Sequence, residues 1–380
     1  MIKYINELKK EDLENKKVLL RVDFDIPIID GKIAEDYRIK AQKETIDYLI
    51  NAGARVLMVV HLGHEISDAS FSPIVEELGT ILGQTLTLVP RLELTSINFL
   101  FEKCQLLLLD NIRQDSLEIQ NDDGLAVRLA NGFDYYVNDA FATMHRNHTS
   151  IVAVTKHLPS YAGLLVRKEV DNLEQAMRAP MEGKILVLGG AKISTKMPVI
   201  KNFIERAEKI LIGGALANNF FKTQGIKVGA SVVDDAVALD VKSENIILPR
   251  DFITAEKGSE SSSVKLYKPP ANVGEAEAIL DIGPETAEEW AEIIERAKMV
   301  IWNGPMGYFE HKDFEEGTEI IAEAVSKVER SIVGGGDTIV AVDKFGLLDK
   351  YGFVSTGGGA MLEFLAGNKL PGLEALGYYK

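Results

Sequence analysis

The hydrophobic positions of this chain form short apolar runs that alternate with longer amphipathic stretches. In the second half, five apolar runs end directly in glycine. These are residues 184–192 (KILVLGGAK), 209–219 (KILIGGALANN), 299–307 (MVIWNGPMG), 331–342 (SIVGGGDTIVAV) and 353–361 (FVSTGGGAM). An apolar run that ends in a glycine turn opening a helix is typical of a buried strand in a parallel sheet. The second half is therefore predicted to form a parallel sheet with glycine turns along its carboxyl edge.

The first half alternates in the same way, but charged and imidazole side chains replace glycine at the ends of its apolar runs. The predicted strands lie within residues 16–28, 54–65, 105–113 and 133–150. Between the first two, Ile39, Ile46 and Leu49 fall on one face of a predicted helix that Gly53 ends. The pattern predicts the α/β class, with two doubly wound, Rossmann-like parallel sheets.

The length of the chain predicts two domains, because 380 residues exceed the size of one ordinary core. Residues 164–180 (LLVRKEVDNLEQAMRAP) form a charged, helix-favouring stretch that Pro180 ends. We expect this stretch to be a helix that joins the two domains, with a ligand-binding cleft between them.

Composition narrows the classes of function. The net charge of −15 argues against general nucleic-acid binding. No apolar run approaches the length of a membrane span, and the charged start does not resemble a signal peptide. One cysteine, Cys104, cannot form an internal disulfide and suits a reducing compartment. We expect a cytoplasmic protein without nucleic-acid or membrane partners, and nothing in the sequence requires more than a monomer.

The glycine turns of the second half are candidate phosphate sites. Glycine lets backbone N–H groups approach a ligand closely, and a helix start carries partial positive charge. Asp337, directly after Gly334–Gly336, is placed to hold a divalent cation that bridges phosphates. For a single turn of this kind, a tight strand–helix connection with a capping aspartate is the alternative. Neither a Walker A motif nor a dinucleotide-binding glycine motif in a strand–turn–helix context is present.

The first half offers a candidate anion site built from basic side chains at or just beyond strand ends. The residues are Arg38, His61, Arg113, His145 and Arg146. Arginine forks suit carboxylate and phosphate oxygens. Arg38 stands at a helix start, where the dipole disfavours it, so we expect it to pair with another group. Scattered surface cations are the alternative for any one of these residues. The two halves together suggest a small anion and a nucleotide held on domains that close to react.

A series of motifs along the whole chain resembles the motifs of one known family. In order they read RVDFDIP, GKIAEDYRI, HLG, DNIR, VNDAFATMHRNH, LPSYAGLL, LGGAKISTK, IGGALANNFF, DIGPET, VIWNGPMGYFE, GGGDT, STGGGA and LPGLEAL. The chain resembles phosphoglycerate kinases over essentially its whole length. The resemblance implies a phosphoglycerate-binding domain of residues 1–163 plus about 368–380, and a nucleotide-binding domain of residues 181–367.

The resemblance also implies an activity. A phosphoryl group would pass reversibly between ATP and the carboxylate of 3-phosphoglycerate, so that 1,3-bisphosphoglycerate and ADP exchange with 3-phosphoglycerate and ATP in glycolysis and gluconeogenesis. Transfer would be direct and in line after domain closure, with Mg²⁺ bound to ATP or ADP. No covalent intermediate on the enzyme is needed.

The resemblance assigns roles to individual residues. The implied catalytic residues are Arg38, Lys192, Gly358 and Gly359. The implied phosphoglycerate contacts are Asp23, Phe24, Asp25, Arg38, His61, Leu62, Gly63, His64, Arg113 and Arg146. The implied nucleotide contacts are Lys196, Gly283, Glu310, Gly335, Gly336, Asp337 and Thr338, with Asp337 also holding Mg²⁺.

Two positions depart from the family's pattern. Asp25 stands where the family usually has asparagine, and His64 with Glu65 replaces an Arg–Pro pair. Each change makes the anion site less positive and is expected to weaken phosphoglycerate binding by ~1–3 kcal/mol. A protonated His64 would recover part of this below about pH 6.5. A diverged nucleotide-binding relative with weak or no phosphoglycerate activity is therefore the alternative. A two-lobed binding protein without chemistry is disfavoured by the paired lysines Lys192 and Lys196.

Overall fold

A computed structural model describes residues 1–63, 66–90, 92, 94–234, 241–256, 266–269 and 272–379. The chain divides into two compact units. The first unit comprises Met1–Asp171 and Lys369–Lys380, and the second comprises Asn172–Asn368. Each unit is built around a six-stranded parallel sheet, so the prediction of an α/β fold with two parallel sheets is confirmed.

The first unit's sheet has the strand order β5-β6-β4-β1-β7-β8, and all its pairs are parallel. A small antiparallel hairpin, β2-β3, follows the central strand. The strands are β1 Lys17–Arg21, β2 Ile28–Ile29, β3 Lys32–Ile33, β4 Arg55–Val59, β5 Thr87–Val89, β6 Leu106–Leu109, β7 Tyr135–Asn138 and β8 Ser160–Ala162. The α-helices are α1 Lys10–Leu13, α2 Tyr37–Asn51, α3 Val75–Leu82, α4 Leu94–Phe101 and α5 Asp123–Ala130.

Helix α6, Leu164–Arg178, runs across the division between the units and ends before Pro180. The chain returns to the first unit after residue 368. There α13, Pro371–Ala375, brings Gly372 against Met144, and the Gly372 N–H donates a 2.9 Å hydrogen bond to the Met144 carbonyl.

The second unit's sheet has the order β11-β10-β9-β15-β16-β17. Its strands are β9 Lys184–Leu188, β10 Lys209–Ile212, β11 Ile246–Ile247, β15 Met299–Asn303, β16 Ser331–Gly334 and β17 Phe353–Ser355. A separate antiparallel sheet contains β12 Phe252–Glu256, β13 Leu266–Lys268 and β14 Glu277–Ile282. The α-helices are α7 Ile193–Phe203, α8 Gly214–Thr223, α9 Pro284–Glu295, α10 Glu316–Ser326, α11 Gly336–Lys344 and α12 Gly358–Leu365.

The apolar pattern explains how both sheets are buried. In β6 and β9 every residue is buried, as expected for strands covered by helices on both faces. On α2, Ile39, Ile46 and Leu49 are buried together. Gly53 ends the helix region with a left-handed φ of 83°. No helix in the described part of the chain combines the length and apolarity that crossing a membrane requires.

Several local features differ from the sequence pattern. The edge strands β5, β8 and β11 and the hairpin β2-β3 were not predicted. The predicted strand over residues 16–28 is regular only in β1, because Val22–Ile26 leave the sheet while remaining mostly buried. The antiparallel sheet β13-β12-β14 was not predicted. Its three strands follow one another within residues 252–282, and its register is irregular at Ile253 and Thr254.

Candidate functional sites in the two units

The candidate anion site of the first unit lies at the carboxyl edge of its sheet. Strands β1, β4, β6 and β7 are parallel, with β1 paired to both β4 and β7 and β4 paired to β6. Their carboxyl ends therefore lead into one edge, which brings together residues that the sequence separates by more than a hundred positions. The segments that follow these strands carry Asp23 and Asp25, His61 and Gly63, Arg113, and Arg146.

Arg38 pairs with the segment that follows the central strand β1, which explains an arginine at a helix start. Its Nη1 donates a 2.7 Å hydrogen bond to the Asp25 carbonyl and lies 3.7 Å from Oδ2 of Asp23. Asp23 is fully buried, and burial raises the pKa of its carboxyl while Arg38 opposes that rise. Arg38 keeps partial exposure, so its guanidinium can still meet a ligand.

Arg113 carries donors that the protein itself does not use. It is buried, and its Nη1 donates a 3.0 Å hydrogen bond to the Gly63 carbonyl. Among the described residues, its Nε and Nη2 have no hydrogen-bond partner. Burial and the nearby charge of Arg146 lower the pKa of Arg113 to about 10. Buried guanidinium nitrogens beside a second cation are costly without an anion, so this pair fits a negatively charged ligand.

His61 is buried between acidic and basic groups. Its Nδ1 lies 3.7 Å from Asp23 Oδ1, and its Nε2 lies 3.8 Å from Asp25 Oδ2. Burial, followed by the charges of Arg21 and Arg113, lowers its pKa well below the usual value. Burial and the same arginine cluster lower the pKa of His148 to about 4. Both imidazoles are therefore neutral near pH 7.

The remaining predicted contacts of this site contribute mainly backbone. Phe24 is buried in the hydrophobic core, and Leu62 is nearly so. The Leu62 N–H donates to Oδ1 of Asn111 at 3.0 Å. Gly63 has a left-handed φ of 83°, and its N–H donates to the Asp25 carboxylate. His64 and Glu65 lie outside the described residues.

Sequence reasoning missed Arg21, which stands inside the apolar run of β1. Arg21 is 1% exposed, and its guanidinium donates to Ser150 Oγ, to the Val22 and Val59 carbonyls, and toward His61 Nδ1. An arginine within a buried strand is itself a signal, because a buried charge must find partners.

The candidate nucleotide site of the second unit lies at the carboxyl edge of its sheet. Strands β9, β10, β15, β16 and β17 end in the five predicted glycine turns, and because neighbouring strands are parallel the turns share one edge. Gly335, between β16 and α11, has a φ of 107°. A Cβ there would stand 2.8 Å from Nδ2 of Asn303. This turn therefore requires glycine, while Gly336 faces open space.

A largely apolar cavity of about 280 Å³ opens beside these turns. Val232, Phe252, Ile279 and Leu280 contribute apolar walls, and Glu310 and Asp337 contribute carboxylates. An apolar pocket with a few polar groups at one side is typical of sites for a small ligand with a flat, hydrophobic part. Glu310 and Asp337 thus lie on the same cavity.

The two predicted lysines of this site differ in environment. Lys192 directly precedes α7 and is exposed. Lys196, one turn later, is buried, and burial lowers its pKa to about 8, although Asp337 acts to raise it. An ammonium group that is buried beside glycine turns suits an anionic ligand such as a phosphate.

The other predicted nucleotide contacts are placed in three ways. Gly358 and Gly359 open α12 next to the β16 turn, with Gly357 as its N-cap. Thr338 is fully buried and its hydroxyl accepts a 2.7 Å hydrogen bond from the Gly304 N–H, so its side chain holds the turn. Gly283 packs against Asp251, where a Cβ would lie 2.1 Å from the carboxylate, while the preceding residues 280–282 line the cavity.

The donor set fits a magnesium ion that is bound mainly through a nucleotide. Asp337 presents an exposed carboxylate to the cavity. Within the described ranges, no group of three or more histidine, cysteine, aspartate or glutamate side chains is arranged to hold a metal by itself. Mg²⁺ commonly takes one or two carboxylates and completes its shell with phosphate oxygens and water.

Comparison with known proteins gives one consistent result. The family model described as phosphoglycerate kinase matches residues 8–368. A phosphoglycerate kinase of Moorella thermoacetica is 40% identical across 97% of this chain and 98% of its own length. One of Thermosipho africanus is 41% identical across 96% of both chains.

Solved structures agree. The phosphoglycerate kinase of Pyrococcus horikoshii OT3 superposes with a TM-score of 0.87 at 31% identity, covering 99% of this chain and 98% of that one. The phosphoglycerate kinase of Coxiella burnetii gives a TM-score of 0.82 at 34% identity over the full length of both chains. The similarity thus spans both units and both candidate sites, and the chain belongs to the phosphoglycerate kinase family.

Proposed function

We propose that this chain catalyses reversible phosphoryl transfer between ATP and the carboxylate of 3-phosphoglycerate, the reaction of its family in glycolysis. The observation that carries the proposal is the pair of complementary edges. One sheet edge gathers Arg38, Arg113 and Arg146, and the other gathers glycine turns with Lys196 and Asp337.

In the first unit, the arginines would bind the substrate's phosphate and carboxylate. Arg113 has two buried nitrogens without partners among the described residues, and Arg146 lies close enough to lower its pKa. Bidentate arginine contacts would fix both position and orientation. Arg38, held at the carbonyl of Asp25, would neutralise the transferred group. Asp23, His61 and the Gly63 backbone would orient the remaining oxygens.

In the second unit, the cavity with Glu310 would take the base and ribose of the nucleotide. Lys196 and the amides at Gly335 and Gly336 would bind its phosphates, and Asp337 would hold Mg²⁺ there. When bound, the ion would neutralise phosphate oxygens and orient them. Lys192 and the amides of Gly358 and Gly359 would face the phosphoryl group that is transferred.

The mechanism requires alignment and charge neutralisation rather than a protein nucleophile. The single cysteine, Cys104, donates a hydrogen bond to the Leu100 carbonyl. The substrate carboxylate would attack the terminal phosphoryl group in line, while Arg38, Lys192 and backbone amides stabilise charge on its equatorial oxygens. Because direct transfer requires the two ligands to meet, we expect the units to approach each other once both are bound.

We further propose that the protein acts as a monomer in the cytoplasm. Its single cysteine suits a reducing compartment. The transfer chemistry described above uses residues of one chain only. Analytical ultracentrifugation at assay concentration tests the monomer, and a stable dimer would contradict it.

A steady-state assay of ATP-dependent phosphorylation of 3-phosphoglycerate with Mg²⁺ tests the function. We expect a turnover of ~1–100 per second or faster. No turnover, with ADP still binding by calorimetry, would contradict the proposed reaction and leave a nucleotide-binding protein.

Two charge deletions test the assigned chemistry. Arg38→Ala and Lys192→Ala are each expected to lower kcat by roughly 100- to 1,000-fold, because each removes a donor to developing charge. The matched controls are Lys40→Ala on α2 and Lys201→Ala on α7, which are exposed lysines of the same helices. A variant that keeps more than about a tenth of wild-type activity would remove that residue from the catalytic role.

A further inference from the structure

A buried chain of polar groups leads from Glu118 to His61. Glu118 is fully buried, and its Oε1 and Oε2 accept hydrogen bonds from the Oγ and N–H of Ser150, at 2.6 and 2.9 Å. Since the Ser150 hydroxyl has one proton and gives it to Glu118, its oxygen is left as an acceptor. Arg21 Nε donates to that oxygen at 2.9 Å.

The other nitrogens of Arg21 are also committed inside the protein. Nη1 donates to the carbonyls of Val22 and Val59, at the ends of β1 and β4. Nη2 lies 3.2 Å from Nδ1 of His61. The guanidinium is therefore held on three sides, and the Glu118 carboxyl lies across the Ser150 hydroxyl. Burial raises the pKa of Glu118, and the charge of Arg21 opposes that rise. This arrangement gives the buried cation the partners it needs.

The contact between Arg21 and His61 determines where the imidazole carries its proton. A guanidinium can only donate hydrogen bonds, so Nδ1 of His61 must accept. The single proton of the neutral ring is then on Nε2. A doubly protonated ring would place two N–H groups against each other. Asp23 and Asp25 face the ring at 3.7 and 3.8 Å.

Nε2 is the end of the chain that faces the candidate anion site. It is buried, it has no hydrogen-bond partner within the described residues, and it lies 3.8 Å from Oδ2 of Asp25. A buried donor of this kind is available to an oxygen of Asp25 or of a bound ligand.

We propose that Arg21, held by Glu118 through Ser150, is a positioning residue that keeps His61 neutral with its proton on Nε2, so that His61 donates a hydrogen bond in the phosphoglycerate site. The assignment of the tautomer rests on geometry alone, whereas the role at the ligand rests on the proposed function. Its consequence is that His61 acts as a fixed donor whose charge does not change across neutral pH.

Nuclear magnetic resonance of the ligand-free protein tests the tautomer directly. Protein labelled with ¹⁵N at its six histidines would be measured by long-range ¹H–¹⁵N spectra from about pH 5.5 to 8, with His61→Gln used to assign the signal. We expect His61 to show an unprotonated Nδ1 and a protonated Nε2 throughout. A proton on Nδ1, or a ring that becomes doubly protonated in this range, would overturn the proposal.

Variants test the control by Arg21. Arg21→Lys keeps the charge but cannot make the same fork of contacts. We expect the His61 signal to shift toward a mixture of tautomers or to titrate within this range. Glu118→Gln, which keeps the shape but removes the buried charge, is expected to change the signal in the same direction.

Ser331→Ala is the control. Ser331 is a buried serine at the amino end of β16 in the second unit, where its hydroxyl accepts a hydrogen bond from the Gly352 N–H. A His61 signal identical to wild type in Arg21→Lys would overturn the role of Arg21. The wild-type spectrum decides the tautomer even if both variants fail to fold.

Kinetics separate this inference from the proposed function. In Arg21→Lys we expect the KM for 3-phosphoglycerate to rise about tenfold, with kcat within about threefold of wild type and the KM for ATP unchanged. An unchanged KM for 3-phosphoglycerate would overturn the role of His61 at the ligand. A wild-type protein without turnover would contradict the function, while the spectra would still decide the tautomer.

Discussion

The backbone N–H of Gly63 donates a 2.9 Å hydrogen bond to Oδ1 of Asp25, which ties the loop after β4 to the segment after β1. Asp25 therefore has a structural role at a position where the family usually carries asparagine. An amide oxygen can accept the same bond, so the contact does not require the charge. The negative charge of Asp25 is an addition to a site that otherwise gathers arginines.

Asp25→Asn is expected to strengthen phosphoglycerate binding. The variant keeps an acceptor for the Gly63 N–H and removes an anion near a ligand with several negative charges. We expect the KM for 3-phosphoglycerate to fall by about 5- to 150-fold, corresponding to ~1–3 kcal/mol. Steady-state kinetics at pH 7.5 measure it. Asp349→Asn, an exposed aspartate of the second unit, makes the same change in net charge and should leave this KM unaltered. An unchanged KM in Asp25→Asn would show that the charge is tolerated.

His64→Arg is expected to remove a pH dependence of substrate binding. His64 lies outside the described residues, so its role rests on the sequence. For two other histidines of the site, burial and nearby arginines lower the pKa of His61 and that of His148, the latter to about 4, so neither gains charge near pH 6.5. Protonation of His64 below about pH 6.5 would add positive charge, so the KM for 3-phosphoglycerate should fall from pH 8 to 5.5.

The His64→Arg variant should have a low KM for 3-phosphoglycerate at every pH in this range, because arginine stays charged. His157→Arg, at an exposed pair with Asp123 in the same unit, is the control and should keep the wild-type profile. If the KM falls equally toward low pH in wild type and in His64→Arg, another group is responsible.

The parallel sheets could be predicted from sequence because each strand carries its own signal within a few residues. Apolar runs that end in glycine mark β9, β10, β15, β16 and β17, and each run identifies itself without reference to the others. The same holds for the basic residues at the strand ends of the first unit. Their assignment to ligand contacts stays a prediction.

The partners of Arg21 could not be predicted, because they are distant in the chain. His61 is 40 residues away and Ser150 is 129 residues away. Because Arg21 lies within an apolar run, the sequence pattern assigns it to a strand and gives no sign that it belongs to the candidate anion site. The antiparallel sheet β13-β12-β14 was also missed, although its strands follow one another within residues 252–282; β13 is only three residues long.

We expect nucleotide binding to weaken as the pH rises above about 8, because Lys196 then loses its charge. Burial lowers its pKa to about 8 in the ligand-free protein, so its positive charge is present below that pH and is lost above it. The KM for ATP should therefore rise about tenfold from pH 7 to 9. In Lys196→Arg the charge persists, and the KM for ATP should change little over this range.

Lys201→Arg is the matched control for this prediction, because Lys201 lies on the same helix but is exposed. It should reproduce the wild-type pH profile. A Lys196→Arg variant whose KM for ATP rises with pH as steeply as that of wild type would assign the dependence to another group.

Gly335 and Gly336, after β16, can be used to separate two reasons for a glycine. One is a backbone conformation that other residues rarely adopt, and the other is close approach of a ligand to the amide. Gly335 has a φ of 107° and lies against Asn303, so Gly335→Ala should lower the free energy of unfolding by ~1–3 kcal/mol. Gly336 meets no atom within 4 Å and begins α11, so Gly336→Ala should change stability by less than about 0.5 kcal/mol.

Both substitutions should nevertheless raise the KM for ATP if phosphates approach these amides, since a methyl group at Gly336 would occupy space reserved for the ligand. Urea unfolding followed by tryptophan fluorescence reports on the correct unit, because Trp290 and Trp302 both lie in the core of the second unit. A stable Gly336→Ala variant with a wild-type KM for ATP would show that the phosphates bind away from this turn. A Gly336→Ala variant with unchanged stability and a raised KM for ATP would place the ligand at the Gly336 amide, because a loss of folding could not then explain the change.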